Sequence, residues 1–319
     1  MQTVIIGLGR MGKNILLHLL DQGVKVVAYN RSADNIDEVV RQGAIGAYTL
    51  DNIPAKCLEQ PIVAILFVPS GHGVDEVLFG ARSEGAMHER DQIRVMAQKG
   101  LVDILPQGSI IIDGGNSFYK DSQIRYQQVK ARGLHYLDMG TSGGLEGARN
   151  GACLMVGGDE DVYKQVEPLL SNIAVKDGYG FVGSSGAGHY VKMVHNGIEY
   201  ALVQAYGEGF EMLEKSPFRL NLPKVASIYS HGSVIRGWIM DLLARALRKD
   251  PHLDAFTGHI GGGETGSWTV TTAHEINVDT PAIENSLKMR LKSITQPSFA
   301  SKVISALRKE WGGHAEGKV

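Results

Sequence analysis

Short apolar runs punctuate the first half of the chain, at residues 3–6, 25–29, 62–68, 109–113, 135–139 and 153–156, and stretches of helical length lie between most of them. Strands that alternate with helices predict a mostly parallel, doubly wound sheet, because each parallel pair needs a crossover long enough to hold a helix. After Asn172 the pattern changes. A glycine- and serine-rich stretch, residues 178–188, leads into helical periodicity that predicts helices at 190–215, 222–230, 233–248, 281–292 and 299–310, with no further strand. Residues 79–100 fit neither pattern: they are polar, carry Arg82, Glu84, His88, Glu89, Arg90 and Asp91, and read as a solvated surface excursion.

The first run ends in Gly7-Leu8-Gly9-Arg10-Met11-Gly12 and a helix-like stretch follows it. In that setting the three glycines predict a dinucleotide site: one for the tight turn, one for close approach of backbone N–H groups to a pyrophosphate, one for packing of helix on strand. The expected fold class is therefore an α/β N-terminal Rossmann-type doubly wound sheet plus an all-α C-terminal domain, divided as 1–180 and 181–319.

Composition narrows the partners. A net charge of −2 with signs interspersed gives no basic stripe, which argues against nucleic acid and anionic membrane and for a small-molecule substrate. The two cysteines, Cys57 and Cys153, lie far apart and outside any metal-ligand spacing, so neither a disulfide framework nor a metal is expected. With no leader-like start and no long apolar segment, a cytoplasmic protein is expected. Glycine is in excess, 40 residues of 319, which points to close backbone approach to ligands.

Several polar residues stand where a doubly wound sheet binds ligands. The second strand ends in Asn30-Arg31-Ser32, where a carboxylate would repel a 2′-phosphate; an amide, a cation and a hydroxyl favour NADP, with NAD the alternative, unless Arg31 is only a solvated turn residue. Asn116, in Asp113-Gly114-Gly115-Asn116-Ser117, and Ser142, in Thr141-Ser142-Gly143-Gly144, each follow a strand, either as substrate ligands or as stabilisers of their own turns. In a helix, Lys192, His195, Asn196 and Glu199 form one stripe about 10 Å long, opposite the apolar Val191, Val194, Ile198 and Leu202. A desolvated lysine there can act as a general base and the carboxylic acid can return a proton, although periodicity alone also allows the stripe to face water.

Together these motifs resemble the 6-phosphogluconate dehydrogenases, decarboxylating enzymes of the β-hydroxyacid dehydrogenase superfamily, in their short form. The resemblance spans nearly the whole chain through the glycine loop, Gly114–Ser117 and Thr141–Gly144, the string from Lys192 to Tyr200, Val234-Ile235-Arg236, and the tail from Arg308 to His314. It implies that Lys192 is the general base and Glu199 the acid that protonates C1 of the enediol. It implies substrate contacts from Asn116, Ser142, Gly143, Gly144, His195 and Asn196, phosphate contacts from Tyr200, Arg236 and Arg308, and closure by His314. Cofactor contacts would come from Gly7, Leu8, Gly9, Arg10, Met11, Gly12, Asn30, Arg31, Ser32, Val68 and Asn116. The product would be ribulose 5-phosphate and CO2, and the enzyme a homodimer or dimer of dimers whose tail reaches the neighbouring site. Long-form relatives have a phosphate-binding lysine where this chain has Gly263 and Glu264, and residues 79–100 look like an insertion. A non-decarboxylating dehydrogenase acting on 3-hydroxyisobutyrate or tartronate semialdehyde is the alternative.

Overall fold

A computed structural model of the protein describes residues 1–80 and 99–317, so most of the polar excursion lies outside the described residues. The chain forms two compact units, Met1–Lys192 and Met193–Val319, with the divide inside a helix rather than in the glycine-rich stretch before it.

The first unit runs β1 (Gln2–Ile6), α1 (Arg10–Asp21), β2 (Val26–Tyr29), α2 (Ala33–Val40), β3 (Ile45–Ala47), α3 (Ile53–Lys56), β4 (Ile62–Leu66), α4 (His72–Phe79), α5 (Leu101–Ile104), β5 (Ile110–Asp113), α6 (Tyr119–Lys130), β6 (His135–Ser142), α7 (Gly144–Asn150), β7 (Ala152–Gly157), α8 (Glu160–Ile173) and β8 (Ala174–Gly183). The sheet order is β3-β2-β1-β4-β5-β6-β7-β8, parallel throughout except for the β6–β7 pair. Alternate residues of β1 bury into different layers: Ile5 packs with Leu16 and Ile65, while Val4 and Ile6 pack with Ile62 and Leu66. Covered faces on both sides explain why the strands read as unbroken apolar runs.

β8 corrects the expectation of no strand after Asn172. It lies at the sheet edge, half exposed, with Lys176, Asp177 and three glycines and a shifted register against β7, so neither alternation nor an apolar run marks it. β3, three residues long, was also not expected.

Helix α9 (Ala187–Glu214) leaves the first unit and continues through the start of the second, which adds α10 (Leu222–Tyr229), α11 (Trp238–Lys249), α12 (Glu264–Glu275), α13 (Pro281–Lys292) and α14 (Phe299–Gly312). Its core joins Val203 and Phe210 of α9, Leu243 and Leu247 of α11, and Val303 and Leu307 of α14, with Trp311 packed against them. α11 starts later than the periodicity suggests because Ser233 to Gly237 forms a turn, and α12 was missed because threonines and glycine dilute its apolar spacing. Gly313, at φ 59°, ends α14 in the left-handed conformation that glycine adopts without strain. The tail then folds onto its own chain. Glu316 accepts from the backbone N–H groups of Thr257 (2.9 Å) and Gly258 (2.8 Å), and Gly317 N–H donates to the His259 carbonyl at 2.7 Å. No described helix is long and apolar enough to cross a membrane, and no described cluster of His, Cys, Asp and Glu could hold a metal.

Candidate active site

Strand order reverses around β1, whose neighbours are β2 and β4, and the glycine loop leaves β1 at that switch point. The three glycines have separable roles in this loop. Gly7 sits at φ +94°, and a Cβ there would lie 2.3 Å from the Phe67 carbonyl oxygen. A Cβ on Gly12 would lie 2.0 Å from the Gly7 carbonyl oxygen, so α1 touches the loop backbone directly. At Gly9 a Cβ would meet nothing within 4 Å. That open space lies at the N-cap of α1, which has neither a side-chain cap nor an acidic residue in its first turn. Free space, oriented N–H groups and no competing carboxylate fit a pyrophosphate.

Around this loop the expected contacts divide by what they expose. Leu8 buries its side chain in the core and offers only backbone, while Arg10 is exposed, Met11 half-buried and Val68 packed against Gly7. Asn30 ties β2 to the loop, accepting through Oδ1 from Leu8 N–H at 3.0 Å. Its amide therefore shapes the loop. Arg31 and Ser32 stand exposed just before α2.

The ends of β5 and β6 are adjacent and parallel, so the loops after them open on the same side. Buried Asp113 organises the first loop, accepting from Gly115 N–H (3.1 Å) and Ser117 Oγ (2.7 Å), with Arg125 Nη1 3.6 Å away. Burial opposes the Arg125 charge, but its hydrogen bond to Asp75 and the field of Asp113 outweigh burial and raise its pKa. With Ser117 turned inward, Asn116 is left exposed. Thr141 Oγ1 donates to the Gly114 carbonyl at 3.2 Å, joining this loop to Ser142, and Gly143 and Gly144 both take positive φ to turn into α7. Lys192 lies beside the same strand end: a Cβ on Gly140 would fall 2.4 Å from Lys192 Cβ. The structure thus brings Lys192 next to the strand that presents Ser142.

Along α9, Lys192, His195, Asn196 and Glu199 are half-buried, with His195 Nδ1 3.0 Å from Asn196 Oδ1. The possibility that this stripe faces water while the apolar one packs is corrected, because Val191, Ile198 and Leu202 are exposed at 36%, 59% and 39%. Lys192 and Glu199 are seven residues apart on one helix, about 10 Å along its axis.

The second unit holds a cationic group. Tyr200 is buried, its ring against Gly266 of α12, where a Cβ would come within 2.4 Å of Tyr200 Cε2. The Arg290 guanidinium of α13 stacks on that ring, 3.7 Å from its centroid, and only 4% of Arg290 is exposed. Arg308 of α14 is close enough for the two charges to repel. Burial first, then Arg290, pull Arg308 down to about 10, still charged at neutral pH, and burial also lowers Arg290 against the opposing pull of Tyr200 and Glu199. The Glu199 charge acts on both in the opposite sense. Two adjacent cations, Arg290 buried and Arg308 half-buried, make a group whose charge suits a multiply charged anion.

Arg290 was missed in the sequence because it reads as the basic last turn of an ordinary surface helix. Its one signal is that α13 buries Ser286 and Arg290 while Leu291 is exposed. Arg236 is exposed on the loop before α11 and is absent from the interactions of this group. His314 is exposed with its ring over Gly312. Arg308 stands beside the Arg290 of its own chain, on a helix packed into its own core.

Residues 2–183 match the family model for the NAD binding domain of 6-phosphogluconate dehydrogenase, and residues 188–311 match that of its C-terminal domain. The chain belongs to the 6-phosphogluconate dehydrogenase family. It is 44% identical over 318 residues, the full length of both chains, to Bacillus subtilis YqeC, which is assigned to the family only provisionally. It is 38% identical over 316 residues, 98% of both chains, to an NAD(+)-dependent, decarboxylating 6-phosphogluconate dehydrogenase of Haloferax volcanii. Among solved structures, the Plasmodium falciparum 6-phosphogluconate dehydrogenase, studied in its apo form and with NADP+ or 6-phosphogluconate, superposes with a TM-score of 0.76 at 25% identity, covering 98% of this chain and 70% of that one. The protein is a Rossmann-type oxidoreductase with a nicotinamide cofactor, and its glycine loop has the shape that such a cofactor needs.

Proposed function

We propose that the protein oxidises and decarboxylates 6-phosphogluconate to ribulose 5-phosphate and CO2. The observation that carries this reading is the Arg290–Arg308 pair beside Tyr200, which suits a phosphate dianion and has no counterpart in the needs of a small unphosphorylated hydroxyacid. The bound nicotinamide supplies the hydride acceptor for C3. Lys192, in its neutral form, takes the proton of the 3-hydroxyl, with Asn116 and Ser142 holding the substrate hydroxyls and carboxylate. Protonated Lys192 then faces the oxygen that gains charge as the β-keto acid releases CO2. Glu199 delivers a proton to C1 of the enediol, and His195 and Asn196 orient the intermediate between them.

NADP is the preferred cofactor on the strength of Asn30, Arg31 and Ser32. The exposed apolar face of α9 supports a homodimer, or a dimer of dimers, with His314 left to close the site. Two free thiols, Cys57 and Cys153, suit the reducing cytoplasm.

Initial rates with 6-phosphogluconate and each cofactor, with released CO2 trapped in parallel, test the reading. Equimolar reduced cofactor and CO2 are expected. Reduced cofactor without CO2 would move the protein to the non-decarboxylating hydroxyacid dehydrogenases, and no substrate-dependent reduction would end the proposal. Lys192→Ala should lose at least the 10²–10⁴-fold typical of one acid–base group, roughly. In Glu199→Ala, single-turnover cofactor reduction should survive better than release of ribulose 5-phosphate.

A further inference from the structure

Asp138, Gly140 and Ser142 occupy alternate positions of β6 and so line one face of that strand. The start of α9 lies directly on this face. Asp138, with no solvent exposure, accepts from two backbone groups there, Gly186 N–H at 2.6 Å and His189 N–H at 2.9 Å. A carboxylate supplied by the sheet thus caps the helix, where the helix's own amide dipoles favour negative charge. One turn later Lys192 passes over Gly140, and the approach leaves no room for a side chain. A Cβ on Gly188 would lie 2.4 Å from the Asp138 carbonyl oxygen, and one on Gly157 would lie 2.7 Å from Gly188 N.

A third segment joins the same point. His189, 1% exposed, places Nδ1 2.7 Å from Ser122 Oγ on α6, the helix that follows the Asn116 loop. Ser122 Oγ donates in turn to the Phe118 carbonyl at 3.4 Å, so the tautomer with Nδ1–H donating to Ser122 uses every proton. His189 Nε2 is buried without a hydrogen-bond partner among the described residues. Tyr119 and Tyr190 add an edge-to-face contact, centroids 5.1 Å apart, between the same two helices.

We propose that Asp138 and His189 are positioning residues, which fix the helical register of Lys192 against the Ser142 strand and the Asn116 loop. This rests on Lys192 being the general base. Asp138 resists sliding or rotation of α9, because either motion breaks both caps and leaves a buried carboxylate unsatisfied. His189 ties that register to α6. The three segments that bear on the substrate therefore meet at one buried junction, which itself touches no substrate.

The test uses Asp138→Asn, Gly140→Ala, Ser122→Ala, His189→Leu and His189→Asn, whose amide nitrogen can replace Nδ1. Melting temperature, kcat, both KM values and the pH profile of kcat are measured for each. In Asp138→Asn and Gly140→Ala, kcat should fall on the order of 10²-fold, as for a misplacement near 1 Å. Cofactor KM should stay within about twofold, and the acid-limb midpoint should shift as Lys192 leaves its site. His189→Leu should fall roughly tenfold and His189→Asn should recover most of that loss, as a retained hydrogen bond requires. Folded variants with the kcat and midpoint of the wild type would overturn the proposal, as would losses shared equally by kcat and cofactor affinity with no change in midpoint. If Asp138→Asn does not fold, Gly140→Ala and the His189 pair decide alone. An active Lys192→Ala would sink the assignment of the base itself. An inactive Lys192→Ala beside unperturbed positioning variants would sink only this inference.

Discussion

The two units present positive charge by opposite means. In the first, the receptor is main chain: three glycines clear space at the start of α1, no side chain caps it, and N–H groups face the opening. In the second it is side chain: Arg290, buried, and Arg308, half-buried, are drawn from separate helices and lie close enough to repel one another. A backbone receptor is encoded within six consecutive residues and costs little when empty, because its N–H groups can bond water. A receptor made of buried guanidinium groups is assembled from distant positions and remains strained until its anion arrives.

The largest expected contrast lies within the glycine loop. Gly12→Ala should cost about 3 kcal/mol of stability, the upper range for overpacking, because its methyl group meets a backbone oxygen that cannot yield. Gly9→Ala should leave the melting temperature unchanged yet weaken cofactor binding by the equivalent of about 1–3 kcal/mol, since its methyl enters space left for the ligand. Equal melting losses in the two variants would show that the opening at Gly9 has no binding role.

The arginine pair should behave in the reverse sense. Removing one of them in Arg290→Met should raise substrate KM by about 1.5–3 kcal/mol, or roughly 10–150-fold, with cofactor KM unchanged. Without ligand, the same variant should melt higher, by the equivalent of about 1 kcal/mol, because a buried charge is gone. Inorganic phosphate should stabilise the wild type by about 2.7 kcal/mol at a hundred times its Kd, and Arg290→Met much less. A wild type indifferent to phosphate would break the comparison. Co-refolding Lys192→Ala with Arg308→Ala chains tests whether one chain supplies both residues of a site: if it does, the mixture stays inactive. Restored activity would return Arg308 to the neighbouring site.

The smallest effect is expected at Arg31, an exposed residue. Arg31→Ala should raise KM for NADP by about 1.5 kcal/mol, the low end for a charged hydrogen bond, and leave NAD unaffected. Equal losses with both cofactors would show that Arg31 does not read the 2′-phosphate.

The same contrast explains what was legible in the sequence. The glycine loop, the central strands and the Lys192–Glu199 spacing are local patterns, and periodicity exposes them. Arg290 is not local: ninety residues separate it from Tyr200, and on a helical wheel a buried arginine looks like any surface cation. Periodicity also misjudges the faces of α9, since the apolar Ile198 and Leu202 are the exposed ones and nothing in a single chain signals what covers them. β8 escaped notice because an edge strand rich in glycine lacks alternation.

Because Lys192 and Glu199 ride on one unbroken α9, their separation is fixed by residue count rather than by folding of any loop. Each residue added or removed between them would turn Glu199 by about 100° and shift it by about 1.5 Å, taking the carboxylate off the face that carries the lysine. The interval is therefore closed to insertions and deletions, whereas the turn between Lys215 and Asn221 can vary in length. Family members that lengthen or shorten should do so there and not in the six residues between Lys192 and Glu199.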